Sequence, residues 1–398
     1  MPSSIAWMDT SARELRQARE IIRLFEDKDS RDELGIGTIR DALSNLLFPG
    51  TSVLQTRARY YLFVPWIYQI AADKGLTGQD FDRYTDRLER DLIDQLKKES
   101  AGTGIIGSVA GRQVQTLPSS TYWNGLHTYG IINVRRAHEI PVSSTVEDMM
   151  TELADRTRPA MAQLPPAPEM FPHATVGGFT LTGDEARWLC EHIVTNHPAS
   201  PLAQLLTPET LDAQLVDALT NCVSPWLHTD IREDPRVEQA RRFSRVMNGA
   251  SILYNLLLAE ACAPAGFSEK AGIAQDHRVR LQEWQGQIGK DVRIMSWETE
   301  ELWSLIAPTA TIPFRTRQFV DAWMDRLQST VRADRSVADD AELRDLVAQR
   351  ERRKGAQSRL ANPRMLATWS GEAGIGALNY RWANVRVIVA DILEGLMR

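Results

Sequence analysis

Leu88, Leu92 and Leu96 stand four residues apart between Phe81 and Ser100, a spacing that lines them along one face of an α-helix. Helical periodicity returns in Ser11 to Phe25, where Leu15, Ile22 and Phe25 fall near one face, and in Val237 to Cys262 and Thr316 to Arg332. No stretch alternates convincingly as a half-buried strand does, and no fixed-period repeat emerges. These patterns predict a mainly α chain: a multi-helix globular protein with a small irregular or short-strand insertion. Its 398 residues suffice for two or three packed units.

Turn chemistry sets the boundaries. Asp9 or Thr10 is placed to cap the first helix. The second begins near Thr38 and stops at Pro49-Gly50. The third follows Thr51-Ser52 and runs to Lys74-Gly75, with Pro65 expected to kink it or end it one turn early. From Ala101 to Val134 the chain is glycine-rich and then reads TLPSSTYWNGLHTYGI. A short helix, a turn or a small wing of strands all fit there. Pro159 to His173 contains PPAP and reads as a linker. This gives an N-terminal helical domain over 1–157 with the candidate active site, a linker over 158–180, and a C-terminal helical domain over 181–398. Leu181 to Glu185 opens a helix as a capped N-terminus does. Gln349 to Arg364 reads as a basic loop, and the last helix runs from about Gly376 to Leu396.

Several classes fall away. No apolar run reaches the length of a membrane span, and the N-terminal residues lack a hydrophobic signal core, so a cytoplasmic protein without a membrane partner is expected. Cys190, Cys222 and Cys262 are odd in number and widely spaced, without a Cys-x-x-Cys pair, which disfavours a disulfide scaffold or a zinc knuckle. Cys190, His192 and His197 lie within eight residues, but their spacing fits no helical zinc triad, and no metal is expected. The net charge of −6 argues against an indiscriminate nucleic-acid coat and leaves room for a local basic groove. Walker loops, Gly-x-Ser-x-Gly elbows and His-Glu-x-x-His are absent. The oligomeric state stays open.

Chemistry concentrates in RDELGIGTIRDALSNLLFPGTSVLQTRARYYLFVPW, residues 31–66. Gly35-Ile36-Gly37 is no dinucleotide loop, because Arg40 holds the place of the third glycine. It reads as a turn into a helix, whose amides suit a DNA phosphate, or as an ordinary tight turn. The motif recurs at Gly374-Ile375-Gly376. The carboxylates of Asp32, Glu33 and Asp41 suit polarising a water or stabilising an oxocarbenium ion; the plainer reading is helix-end electrostatics or salt bridging to Arg40, Arg57 or Arg59. Arg57, Arg59, Tyr60 and Tyr61 combine phosphate forks with stacking planes, and Tyr122-Trp123 and Tyr380-Arg381-Trp382 repeat that theme. Core aromatics with snorkelling arginines explain the same residues, Tyr60, Phe63 and Trp66 above all. Arg187 and His192 have the Arg-x-x-x-x-His spacing of HEPN ribonucleases, although Trp188 replaces the polar residue usual after the arginine. Gln349 to Arg364 carries six basic residues against one acidic, fit for phosphates or for a solvated loop.

Residues 31–66, with SSIAWMDTS, LPSSTYWNGLHTYGI, NGASILYNLLLAEA and NYRWANVRVIVADILEGL, resemble a bacterial family catalogued as a domain of unknown function, along nearly the whole chain. The resemblance implies a place in phage-defence loci and kinship with an anti-phage DNA glycosylase that removes glucosylated hydroxymethylcytosine from T-even phage DNA. Such an enzyme flips its base and needs no metal or nucleotide cofactor, only a carboxylate or activated water, a base pocket and a phosphate grip. On that expectation Asp41, or else Glu33, serves the cation or positions water. Gly35, Gly37, Arg40, Arg57 and Arg59 hold the DNA backbone. Tyr60, Tyr61, Tyr122 and Trp123 wall the pocket, Asn124, His127 and Arg381 meet the sugar, and Tyr380 and Trp382 complete the aromatic-arginine set. A non-catalytic nucleic-acid-binding or adaptor subunit and a HEPN-like ribonuclease are the alternatives.

Overall fold

The computed structural model describes residues 33–99, 103–133 and 160–398; the expected first helix and Asp32 lie outside them. The chain is mainly α. Among the described residues its β structure is one antiparallel pair, Ile132–Asn133 with Ala160–Met161, in register Ile132 to Met161. The longer helices are α1 (Gly37–Leu47), α2 (Tyr60–Asp73), α3 (Gly78–Glu99), α4 (Pro118–Thr128), α5 (Gly183–Asn196), α6 (Ala213–Asn221), α7 (Pro235–Cys262), α8 (Ala274–Gly289), α9 (Thr299–Ile306), α10 (Phe314–Arg332), α11 (Ala341–Arg352) and α12 (Trp382–Leu396). None of the described helices is long and apolar enough to cross a membrane.

Two compact units result, and neither is a continuous half of the chain. The first takes in residues 33–43 and Glu238–Tyr380 of the described chain; the second takes in Ser44–Val237 and Arg381–Arg398. This division differs from the one that the sequence suggests at 158–180. The proline-rich stretch is packed into the second unit: Trp66 Nε1 donates to the Pro165 carbonyl at 2.8 Å, Trp188 Nε1 donates to that of Gln163 at 2.8 Å, and Phe171 stacks on Phe63 with ring centres 5.7 Å apart.

In the second unit α2 is buried on every side from Tyr60 to Tyr68, as a helix apolar all round must be. It packs on α3 and α4, while α12 packs on α5 and α6. The helix starts later than Thr51-Ser52 suggests because tertiary partners take the preceding amides. The Tyr122 hydroxyl accepts from the amides of Thr56 and Arg57, at 2.8 and 3.0 Å, and Asp391 accepts from that of Ala58 at 2.9 Å. Pro65 sits inside α2 without ending it. The capped start of α5 is present: the Thr182 hydroxyl accepts from the Glu185 amide, and the Glu185 carboxylate accepts from the Thr182 amide.

In the first unit α7 is the spine. Trp284 of α8 lies over Gly249, where any Cβ would collide with the indole, and donates to the Arg245 carbonyl at 2.8 Å. Trp323 of α10 donates to the Val246 carbonyl at 3.2 Å. Another stripe of α7 holds the segment that precedes α12. Asn248 donates to the Ile375 carbonyl, Ser244 donates to that of Leu378, and the Ala240 carbonyl accepts from the Tyr380 hydroxyl. These bonds keep residues 373–380 out of the helix that the sequence places from Gly376, so α12 begins at Trp382.

Two arginines of the second unit pair with carboxylates far away in sequence. Arg59 is buried and donates to Glu185 at 2.8 Å and to the carbonyls of Val176 and Gly178. Arg57 grips Asp391 through Nε and Nη2, at 2.9 and 2.6 Å. Removing one partner of a pair buried on both sides, as Arg59–Glu185 is, costs about 3–5 kcal/mol. Glu185→Ala is expected to lower stability on that scale, with Glu185→Gln in between. Arg187→Ala, which loses only an exposed pair with Asp184, should stay within about 0.5 kcal/mol. Urea midpoints of the three variants check the ordering.

Candidate functional site

The pieces singled out in the sequence that do meet are Glu33, the two Gly-Ile-Gly turns and the basic run, all in the first unit. Gly35 adopts a left-handed backbone, φ 66°, which glycine alone adopts without strain. A Cβ there would also strike the Arg350 guanidinium. Arg350 donates to the carbonyls of Leu34 and Gly35, at 2.8 and 2.9 Å, and to the Thr316 hydroxyl at 2.8 Å. The turn therefore presents its carbonyls to a cation, the opposite polarity to a phosphate cradle. Gly37, the first residue of α1, is buried.

The second turn is held by Asn255 on α7. Its Oδ1 accepts from the Ala373 amide at 2.7 Å and from Trp369 Nε1 at 3.1 Å, while its Nδ2 donates to the Ala373 carbonyl. This places Gly374 against Glu33: a Cβ on Gly374 would sit 3.5 Å from Glu33 Cγ.

Glu33 is the centre of an ionic cluster. Its side chain is 9% exposed, with Arg359 Nη1 2.7 Å from Oε1 and Lys354 Nζ 3.0 Å from Oε2. The Tyr254 hydroxyl donates to Oε2 at 3.2 Å and accepts from Arg359 at 2.9 Å. Glu351, fully buried, sits 2.5 Å from Lys354 and accepts from the Arg359 amide at 2.6 Å. Two cations thus match two carboxylates. Lys354 lies over the Tyr254 ring and is 27% exposed. Burial pushes the Glu33 carboxyl up, but the Lys354 charge and the Arg359 bond outweigh it and hold it below the usual carboxylate range. Burial, then the Glu33 charge, pushes the Tyr254 hydroxyl far up, so it stays a donor.

Asp41 is placed differently. It is 41% exposed and pairs with its neighbour Arg40 at 2.9 Å. The remaining candidates belong to the second unit, apart from Tyr380, and most have structural partners. Tyr60, Tyr61 and Tyr122 are fully buried against one another, with ring centres 5.2 and 4.8 Å apart along the series 60–122–61. Their hydroxyls are engaged with the Ile106 amide, with Gln55 and with the Arg57 backbone. As placed, none offers a base a free face, and Arg57 and Arg59 are committed to Asp391 and Glu185. Trp123 is half-buried beside His127, with ring centres 4.6 Å apart, and Asn124 is exposed. Burial lowers the His127 pKa.

The Tyr-Arg-Trp triplet divides. Tyr380 is buried in the first unit with its hydroxyl on Ala240. In the second unit Arg381 donates to Asn45 and to the Thr51 carbonyl, and Trp382 donates to the Cys222 carbonyl. Arg187 and His192 do not meet either: Arg187 pairs with Asp184, and His192 bonds the Tyr129 carbonyl at 3.1 Å. No group of ligands fit for a metal occurs among the described residues.

Sequence reasoning missed the partners of Glu33. Lys354 and Arg359, and Arg350 that holds the Gly35 turn, were visible only as charges in a basic run, and Glu351 as its single acid. The sequence carries no mark that these face inward, since only half of the run was needed for the cluster: Arg352, Arg353 and Arg364 are exposed.

A carboxylate depressed below its unfolded value of about 4.3 stabilises the fold above that pH, and its contribution is lost as pH falls through the folded value. Glu33→Gln should therefore cost about 1–3 kcal/mol near neutrality, and the gap to the parent should narrow below about pH 4. Urea midpoints across that range test this; a gap independent of pH would mean that the charge of Glu33 does not matter.

No curated protein and no solved structure matches the chain. The model of the family of unknown function DUF6361 matches residues 2–394, and the chain belongs to that family.

Proposed function

We propose that the protein is an anti-phage DNA glycosylase that flips and excises a modified cytosine, glucosylated hydroxymethylcytosine, and leaves an abasic site. The observation that carries this reading is the Glu33 carboxylate, held ionised and nearly dry between Lys354 and Arg359 where the two glycine turns meet. Breaking the N-glycosidic bond leaves positive charge on the sugar ring. A fixed negative charge at low dielectric lowers the energy of that cation.

Both Glu33 oxygens already accept hydrogen bonds. Glu33 therefore suits an electrostatic role better than that of base or nucleophile. The bond from C1′ to the base breaks and its electron pair leaves with the base. Water adds its oxygen to C1′, and one water proton ends on the departing base. The resemblance along nearly the whole chain supports the substrate assignment, and the exposed Arg352, Arg353 and Arg364 suit the phosphate backbone.

A non-catalytic nucleic-acid-binding subunit is the second reading. It is favoured by the charge balance of the same cluster, in which two carboxylates and two cations cancel as in a structural knot. The ribonuclease reading lacks such support, because Arg187 and His192 have separate partners.

The test is incubation with T-even phage DNA and with unmodified DNA, followed by alkali to cut at abasic sites. Cleavage is expected only in modified DNA. Glu33→Gln, shown by circular dichroism to be folded, should slow it about 10²–10³-fold, while Asp41→Asn changes it less than about threefold. Loss with Asp41→Asn and not with Glu33→Gln would move the chemistry to Asp41. No alkali-labile sites from a folded, DNA-binding protein would leave the binding subunit.

A further inference from the structure

A second cationic feature of the first unit is unused by this chemistry. An open surface cavity of about 560 Å³ is lined by Arg241, Arg245, Gln287, Lys290, Asp291 and Arg293, together with Val292. Four cations face it and one carboxylate. Arg241 and Arg245 are one turn apart on α7, and each donates to Asp291 Oδ2 at 2.8 Å. Glu238 braces Arg241 through two further bonds, at 2.7 and 2.8 Å. The Arg245 carbonyl is tied to Trp284. The Arg241 guanidinium is thus fixed in direction by three bonds, and Arg245 is anchored beside it through one N–H to the same carboxylate, an arrangement that suits arginine forks for oxyanions.

The balance of charge is left over. Arg245 spends a single N–H on Asp291, keeping further donors. Lys290 is exposed and makes no ion pair among the described residues, and Arg293 is exposed with Glu238 3.9 Å away. Asp291 does not cancel this excess. Burial raises its carboxyl, but the Arg241 bond and charge lower it further, so it stays ionised as the anchor of the two arginines. The depression is shallow and open to solvent, with room for a phosphate and the sugar that carries it.

We propose that this cavity is a binding site for the phosphate group of a nucleotide unit, with Arg245, Lys290 and Arg293 as its contacts and Arg241–Asp291 as its frame. The same chemistry fits one nucleotide of a nucleic-acid strand or a free nucleotide. The site does not rest on base excision, since phosphate binding is read without any cleavage step.

The experiment titrates the full-length protein with a fluorescently labelled DNA oligonucleotide and, separately, with ADP, at several salt concentrations. Lys290→Glu and Arg293→Glu, both at exposed positions, are compared with the parent after their melting temperatures are matched. Each should weaken binding about tenfold, and each should reduce the salt dependence by about one counterion. Loss for the oligonucleotide alone identifies a strand backbone as the ligand; loss for ADP identifies a free nucleotide. Binding that both variants leave intact overturns the proposal, as does a parent protein that binds neither probe.

Discussion

A guanidinium taken out of water costs several kcal/mol unless carboxylate or carbonyl oxygens surround it; this chain buries Arg59 and Arg359 and partly buries Arg57 and Arg350. Arg59 finds Glu185 and two backbone carbonyls, and Arg57 finds Asp391. Arg350 finds the carbonyls of residues 34 and 35, and Arg359 finds Glu33. Each of these pairings joins segments more than a hundred residues apart. The requirement to satisfy a buried cation fixes which loops lie beside which helices, more tightly than apolar packing, which tolerates many partners.

The candidate site follows from that constraint. Glu33 and Gly35 are neighbours in sequence, yet their surroundings come from α7, from α11 and the turn after it, and from the loop around Gly374. The result is a closed cluster whose charges balance and whose one partly open member is Lys354. The Arg241–Lys290 cavity is the converse: open, cationic in excess, with its arginines anchored by Asp291. The first cluster is closed and electrically balanced; the second keeps cationic donors facing solvent.

Much was legible in the sequence. Helical periodicity gave the fold class, Thr182 with Glu185 marked the start of α5, and Pro49-Gly50 marked the end of α1. Glu33 and Gly35 were marked as a candidate site, and the basic run and second glycine turn proved to be their neighbours. Arg57, Arg59, Tyr60 and Tyr61 looked equally suited to DNA and to a core, because a guanidinium or phenol carries the same groups in either place. Their hydroxyls and N–H groups are engaged with Gln55, Ile106, Asp391 and Glu185, and distance along the chain concealed those partners.

What the sequence determined by itself is local: where helices run, where they are capped, and where the backbone must turn at a glycine. Those depend on residues within a turn or two of one another. Only the tertiary structure decided that the two units are each built from separate stretches of chain, that α2 is buried on all sides, and that Lys354 and Arg359 turn inward to Glu33 while Lys290 and Arg293 face solvent. The physical reason is that burial belongs to a surrounding and not to a residue. The same arginine is a solvated charge or a buried one according to whether oxygens from elsewhere in the chain reach it.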